Sequence, residues 1–198
     1  NDEEVASWDV IDEGNGVRIA AVKTALLKLG TYHGGHLKLQ GIFDQPDHTW
    51  PGQFGFFFGF RKNVDIYRLQ YYVTYLYRTL RDKKHILFIN RIRYRKKSPL
   101  AVISSELAEW DLEKLDWHPK DLSLQFQDRQ LEEVRFAGKK RGELLGRLLN
   151  YFQKFQKSPM DFTGDFGIFC RETSVTVNKL RINGLPLTLE ETQKIKQG

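Results

Sequence analysis

The chain has 198 residues, 40% of them hydrophobic and 13% aromatic, which is enough apolar material for a sizeable core and suits one all-β domain of about 200–250 residues. The formal charge of +6 speaks to solubility and to acidic partners, not to fold. No run approaches the roughly 20 apolar residues of a membrane-spanning helix, and the single cysteine, Cys170, excludes an internal disulfide and a multi-cysteine metal site.

The opening Asn1-Asp2-Glu3-Glu4 has no initiator methionine and no basic-then-apolar leader pattern. The chain is therefore expected to be part of a longer, multidomain protein. Strand-like alternation then dominates. Residues 36–43 alternate apolar and polar, and residues 54–60 form an apolar run broken by Gly55 and Gly59. Along 66–77, Tyr67, Leu69, Tyr71, Val73, Tyr75 and Tyr77 share one face, with Arg68, Gln70, Tyr72, Thr74, Leu76 and Arg78 opposed. In 85–97, His85, Leu87, Ile89, Arg91, Arg93 and Arg95 share a face, while Ile86, Phe88, Ile92 and Tyr94 look the other way. The acid-rich stretch Glu106, Glu109, Asp111, Glu113, Asp116 is interleaved with Leu107, Trp110, Leu112 and Leu115 and is expected to be a solvated connection. Strands follow over 122–126 and at Val134 and Phe136, joined by the polar turn 127–130.

Residues 141–156 change period. Leu144, Leu145, Leu148, Leu149, Phe152 and Phe155 recur at helical spacing and predict one amphipathic helix whose stripe packs on the core. Ser158-Pro159 ends it. Two closing strands are expected at 166–170 and 174–183, where Cys170 alternates with Phe166 and Ile168 as a small buried hydrophobe. Residues 185–198 are expected to be a C-terminal tail, with a short terminal helix over 188–196 as one option. The loops are marked by proline and glycine: 45–52, Ser98-Pro99 and Trp117-His118-Pro119. Many strands, one helix and no strand–helix alternation predict an all-β, two-sheet antiparallel β-sandwich of jelly-roll form, spanning 1–184 as one domain, with the helix inserted. Gly55, Gly59 and Gly167 mark bulges or close backbone approach within strands.

Two segments carry a family resemblance. Trp50-Pro51-Gly52-Gln53-Phe54-Gly55-Phe56-Phe57-Phe58-Gly59-Phe60, followed by Tyr67-Arg68-Leu69-Gln70-Tyr71, resembles the central strand pair of concanavalin A-like domains. The ending from Gly164-Asp165-Phe166-Gly167-Ile168-Phe169 to Ser174–Gly184 resembles that of laminin-G-like domains and of 3-keto-disaccharide hydrolase-like domains. The resemblance covers about residues 8–184 and implies the sandwich. It also implies an extracytoplasmic setting and calcium as a conceivable ion, with Asp44 and Asp47 as its oxygen ligands. The helix departs from it, because those domains have a short loop there.

No catalytic residue stands out. Sandwich glycosidases place acids in a Glu-x-Asp-x-x-Glu arrangement on one strand, since hydrolysis needs a nucleophile and an acid about 5 Å apart, and no such string occurs. Zinc needs three or four convergent ligands, which the spacing of His33, His36, His48 and His118 does not assemble, so no metal or other cofactor is expected. Neither a phosphate-binding glycine loop nor a nucleophile elbow is present. Two binding candidates remain. Trp50 sits in its Pro/Gly loop beside Asp47 and His48, a ring for stacking on a sugar with polar groups at its edge. Arg91, Arg93 and Arg95 recur about 6–7 Å apart along a strand, a ladder able to hold carboxylate, sulfate or phosphate groups or to protect an edge strand. The expected function is a non-catalytic module recognising a glycan or a protein partner, without membrane insertion. Open alternatives are a glycan- or disaccharide-processing enzyme, which requires a sheet face with two inward carboxylates; a polyanion binder using the arginine strand, with salt-sensitive affinity; and a purely structural domain.

Overall fold

The computed structural model describes residues 6–45, 52–78, 85–97, 102–112, 120–156 and 159–189. In chain order the elements are β1 (Ala6–Ile11), a 3-10 turn at Asp12–Gly14, β2 (Gly16–Tyr32), β3 (His36–Asp44), β4 (Gln53–Val64), β5 (Tyr67–Arg78), β6 (His85–Arg95) and β7 (Val102–Leu112). There follow β8 (Lys120–Gln127), β9 (Gln130–Phe136), β10 (Lys139–Lys140), helix α1 (Gly142–Phe155), β11 (Gly164–Ile182) and β12 (Leu185–Pro186). The acid-rich stretch expected as a connection is β7, a strand paired along its length with β6.

All pairings are antiparallel. The two closing strands expected at 166–170 and 174–183 are one continuous strand, β11, bent by a bulge where a link was expected, and it belongs to two layers. Its first half, 164–171, lies between β2 and β4, and the front sheet continues through β5, β6 and β7. Its second half, from Thr173, keeps β2 on one side but takes β3 on the other, and the back sheet continues through β8, β9 and β10. The change of layer falls at the register shift between Arg171 and Thr173, where a bulge bends the paired strands.

Between the layers lie Ile19, Leu27, Leu39, Phe56, Phe58, Leu87, Ile89, Leu124, Phe126, Phe136, Ile168, Val175 and Val177, every one at most 1% exposed. Each large side chain buried there contributes about 1.5–3 kcal/mol relative to exposure. Cys170 belongs to this core, its Sγ 3.3 Å from the Thr173 carbonyl, and burial pushes its thiol up to about 12.

Helix α1 packs on β7 of the front sheet and β9 of the back sheet and so closes that edge of the sandwich. Only Leu144, Leu148 and Phe152, at i, i+4 and i+8, are buried. Leu149 and Phe155 remain exposed at 44% and 69%, so the buried stripe is narrower than the sequence suggested. Arg147 lies over the Trp110 ring of β7 at 5.3 Å. Past β11 the chain does not leave the body at once: β12 pairs with β11, and the Leu189 amide donates to the Gly14 carbonyl at 3.1 Å. Residues 190–198, most of the stretch where a terminal helix was an option, lie outside the described residues.

Glycine marks the bulges. Gly167 stands at the register shift between Phe166 and Gly167 in the pairing with β2, where a Cβ would lie 1.9 Å from the Leu27 carbonyl oxygen. Gly59, at φ +62°, lies in the bulge between Phe58 and Arg61. Only a residue without a Cβ takes either place without displacing its neighbour.

Candidate functional site on the outer face of the front sheet

Strand alternation gives the front sheet a second face, turned away from the core. Phe169 of β11, Phe57 of β4, Leu69, Tyr71, Val73 and Tyr75 of β5, and Ile92 of β6 form a separate buried cluster there. Leu26, Phe60, Tyr77, Phe88 and Tyr94 rim it, half-buried. Rings stack in pairs: Phe60 with Tyr71 at 5.9 Å and 27°, and Tyr75 with Phe88 at 5.2 Å and 21°. Arg68 lies over the Tyr94 ring at 5.4 Å.

The row that the sequence places on one face, Tyr67 to Tyr77, is interrupted once. The register shift at Arg68 turns Tyr67 out of the row, and Arg93 from the other face lies over its ring at 4.5 Å.

Polar groups are set among these rings. Asn90 is 8% exposed and donates from Nδ2 to the Tyr75 hydroxyl at 3.1 Å and to Ser104 Oγ at 3.5 Å. Its Oδ1 is buried with no hydrogen-bond partner, an arrangement that costs roughly 1–3 kcal/mol. Burial pushes the Tyr75 phenol up to about 12, with the Glu106 carboxylate adding to the effect and Asn90 opposing it. Burial also carries the Tyr71 phenol far above its ordinary value, helped by Tyr94 and opposed by Arg171.

Two carboxylates border the face, and sequence reasoning missed their arrangement. Glu106 and Glu109 are three apart, which on a regular strand puts them on opposite sides. The register shift between Ile89 and Asn90 leaves Leu107 as an extra residue, so that Glu106 pairs with Asn90 and Glu109 with Phe88. Both therefore look toward the aromatic face. Burial, and then the charge of Glu109, raises the Glu106 carboxyl above its ordinary value. The signal in the sequence was Leu107-Ala108, two adjacent apolar residues breaking the alternation.

The residues singled out from sequence are distributed differently. Asp47, His48 and Trp50 lie outside the described residues. Arg91, Arg93 and Arg95 do follow one face of β6, the core-side face, with burial falling along the row. Arg91 is 5% exposed, Arg93 is half-buried and Arg95 is exposed. Arg91 Nη2 donates to the Tyr151 hydroxyl of α1 at 3.4 Å. Asp44 ends β3, and among the described residues no group of three His, Cys, Asp or Glu is placed to hold a metal ion. No described helix is long and apolar enough to cross a membrane.

No family model matches the chain, and no curated protein matches it. Among solved structures it is similar to the carbohydrate-binding module CBM66 from Bacillus subtilis, at 10% identity and a TM-score of 0.51, over 89% of this chain and 91% of that one. Looser likenesses are a Bacteroides ovatus mixed linkage glucan GH16 protein in complex with its product (11% identity, TM-score 0.41, 90% and 83% of the chains) and the exoplasmic domain of VIP36 in a form with calcium and mannose-containing glycan (9%, 0.32, 95% and 86%). At this identity the likeness to the module shows the fold, a concanavalin A-like jelly-roll sandwich.

Proposed function

We propose that the protein is a glycan-binding module that holds its ligand on the outer face of the front sheet. The observation that carries this reading is a face built of rings with an unsatisfied acceptor among them. Tyr77, Phe88 and Tyr94 offer apolar faces and edges suited to sugar C–H surfaces. Ser104 and Glu106, both exposed, supply acceptors for sugar hydroxyls, with the buried Asn90 amide set beneath them. A pocket that is mainly apolar with a few convergent polar groups is the general form of a small-ligand site. The similar fold of a carbohydrate-binding module agrees with the reading without deciding it.

A glycan array tests it. Wild type is expected to retain one class of oligosaccharide, and Tyr94→Ala and Asn90→Leu to lose that signal at least tenfold with the fold intact by circular dichroism. Trp50→Ala tests the loop of Asp47, His48 and Trp50 as the alternative. If it alone abolishes binding, the ligand lies in the loop and the sheet-face reading is wrong. No retention of any glycan by wild type also rejects it.

Glu106 and Glu109 favour a second reading, a glycan-processing enzyme, because the Leu107 bulge meets its requirement for two carboxylates on one sheet face. A carboxyl raised above its ordinary value by burial, as at Glu106, with a second carboxylate on the same face is a pairing of the kind glycoside hydrolysis uses. Release of reducing sugar from the retained glycan by wild type, and its absence from Glu106→Gln and Glu109→Gln, would establish this reading; retention without turnover leaves the binding module.

A further inference from the structure

On the core side of the same sheet, at the end covered by the C-terminal turn of α1, three arginines converge. Arg61 of β4 is registered opposite Gln70 of β5, and Gln70 opposite Arg93 of β6. In the adjoining row, Tyr72 is opposite Arg91. Neighbouring strands stand about 4.8 Å apart, and alternate residues about 6–7 Å apart along a strand. The three guanidinium groups therefore share one small region. The charges of Arg91, Arg61 and Arg93 all act on the Tyr72 phenol, opposing the effect of its burial.

These cations are under-compensated. Asp161 is the carboxylate that meets the group, and it accepts from Arg61 Nη1 at 3.3 Å, from the Thr163 amide at 3.0 Å and from Thr163 Oγ1 at 2.7 Å. Among the described residues no carboxylate pairs with Arg91 or Arg93. Arg91 is 95% removed from solvent, with its Nε buried and unpartnered, and the Nε atoms of Arg61 and Arg93 are in the same condition. Buried charge without a countercharge is among the most costly arrangements a fold can carry, and here the buried Arg91 and the half-buried Arg93 repel each other along one strand. Burial, and then Arg91, lowers the affinity of Arg93 for its proton.

The hydroxyl groups complete the pattern. Tyr72 Oη accepts from Gln70 Nε2 at 3.4 Å, and Tyr151 Oη accepts from Arg91 Nη2 at 3.4 Å. Each phenol has thus used a lone pair on a neighbour and keeps its own proton to donate. Guanidinium forks and phenol protons facing one region, with a single carboxylate among the described residues, already occupied, are complementary to an oxyanion.

We propose that Arg61, Arg91, Arg93, Tyr72 and Tyr151 form a binding site for one oxyanion group, a carboxylate, sulfate or phosphate. Arg91 is its floor, and the half-buried Arg61 and Arg93 stand at its mouth. The near-complete burial of Arg91 admits only a small group to the floor, and the Tyr67 ring under Arg93 gives the mouth an aromatic side on which the rest of a larger ligand can lie. The site is on the opposite face of the sheet from the aromatic platform and does not depend on the glycan reading.

Titration calorimetry at low ionic strength tests the site with sodium sulfate, inorganic phosphate and sodium glucuronate, against sodium chloride at matched ionic strength. Wild type is expected to bind at least one oxyanion with one-to-one stoichiometry, and Arg93→Gln to weaken it at least tenfold. Glucuronate binding without the inorganic ions identifies the anion as the carboxylate of an acidic sugar; binding of sulfate or phosphate identifies a sulfate or phosphate group. Arg91→Met is expected to abolish binding and to leave the unfolding midpoint in anion-free buffer unchanged or higher, since it removes an unpaired buried charge. Should Arg91→Met not fold, Arg61→Gln takes its place and is expected to weaken binding as Arg93→Gln does. Heats indistinguishable from chloride, or wild-type affinity in Arg93→Gln, overturn the proposal.

Discussion

On β4 and β5 the two faces of the front sheet draw on the same kind of side chain. Phe54, Phe56, Phe58, Tyr72 and Leu76 turn to the core; Phe57, Tyr71, Val73, Tyr75 and Tyr77 turn away from it. The core-side rings meet the second sheet, so Phe58 touches Phe126 of β8 at 5.1 Å and Phe162 at 5.2 Å. Among the described residues the outer rings stack on one another, the Tyr75 hydroxyl accepts from Asn90, and Glu106 and Glu109 border the face. Burial alone does not separate the two faces, because Tyr71 and Phe57 are as hidden as many core residues. What separates them is polar chemistry. Orphaned polar atoms lie on both faces, Asn90 Oδ1 outside and Thr74 Oγ1 on the core side, so the contrast rests on the grouping of Asn90, Ser104, Glu106 and Glu109 among the outer rings.

The sharpest test of this contrast is stability. Phe56→Ala on the core side is expected to cost about 3–5 kcal/mol in denaturant unfolding, through lost burial and the cavity left behind. Tyr77→Ala on the outer rim should cost well under that, near the ~0.5 kcal/mol of ordinary surface changes, while weakening glycan retention. Equal costs would make the outer face a second core and remove the reason to assign it a ligand. Gly167→Ala ranks next, at about 1–3 kcal/mol or more, because its methyl would press on the Leu27 carbonyl. Asn90→Leu has a smaller effect, within ~1 kcal/mol in either direction, since it deletes the orphaned acceptor together with a donor to Tyr75. Loss of glycan binding without loss of stability in this variant would place Asn90 in recognition and not in folding.

Alkaline titration probes the outer face by a milder route. The Tyr75 phenol is raised from 10.0 to about 12 in the folded protein, so the folded state holds this proton more tightly than the unfolded one. Its contribution to stability is complete below pH 10 and is lost as pH rises through the folded value. Tyr75→Phe should flatten that loss in circular dichroism, whereas Phe→Leu changes on the core side should not. The smallest effect is at Cys170. Its thiol, raised to about 12 by burial on the core side, is expected to resist alkylation by iodoacetamide at pH 8 until the protein is denatured.

Much of this was legible in the sequence because it follows from periods. Alternation determined β3 to β6, β8, β9 and both halves of β11, the shared face of Arg91, Arg93 and Arg95, the burial of Cys170 and the in-strand glycines, but not β1, β2 or β7; helical spacing determined α1. Side chains on one strand obey a period of two whatever their neighbours do, so such statements need no partner. Tertiary structure decided what depends on a second strand. The bulge at Leu107, set by pairing with β6, brought Glu106 and Glu109 to one face and turned an expected connection into β7. The register shift at Arg68 removed Tyr67 from its row. Packing against β7 and β9 selected which leucines of α1 are buried. The arginine ladder shows both contributions: the sequence by itself aligned the three side chains, but only the packing of α1 and β4 against them buried Arg91 and placed Arg61 and two phenols beside it. Alignment is local geometry, whereas desolvation belongs to everything that surrounds a charge.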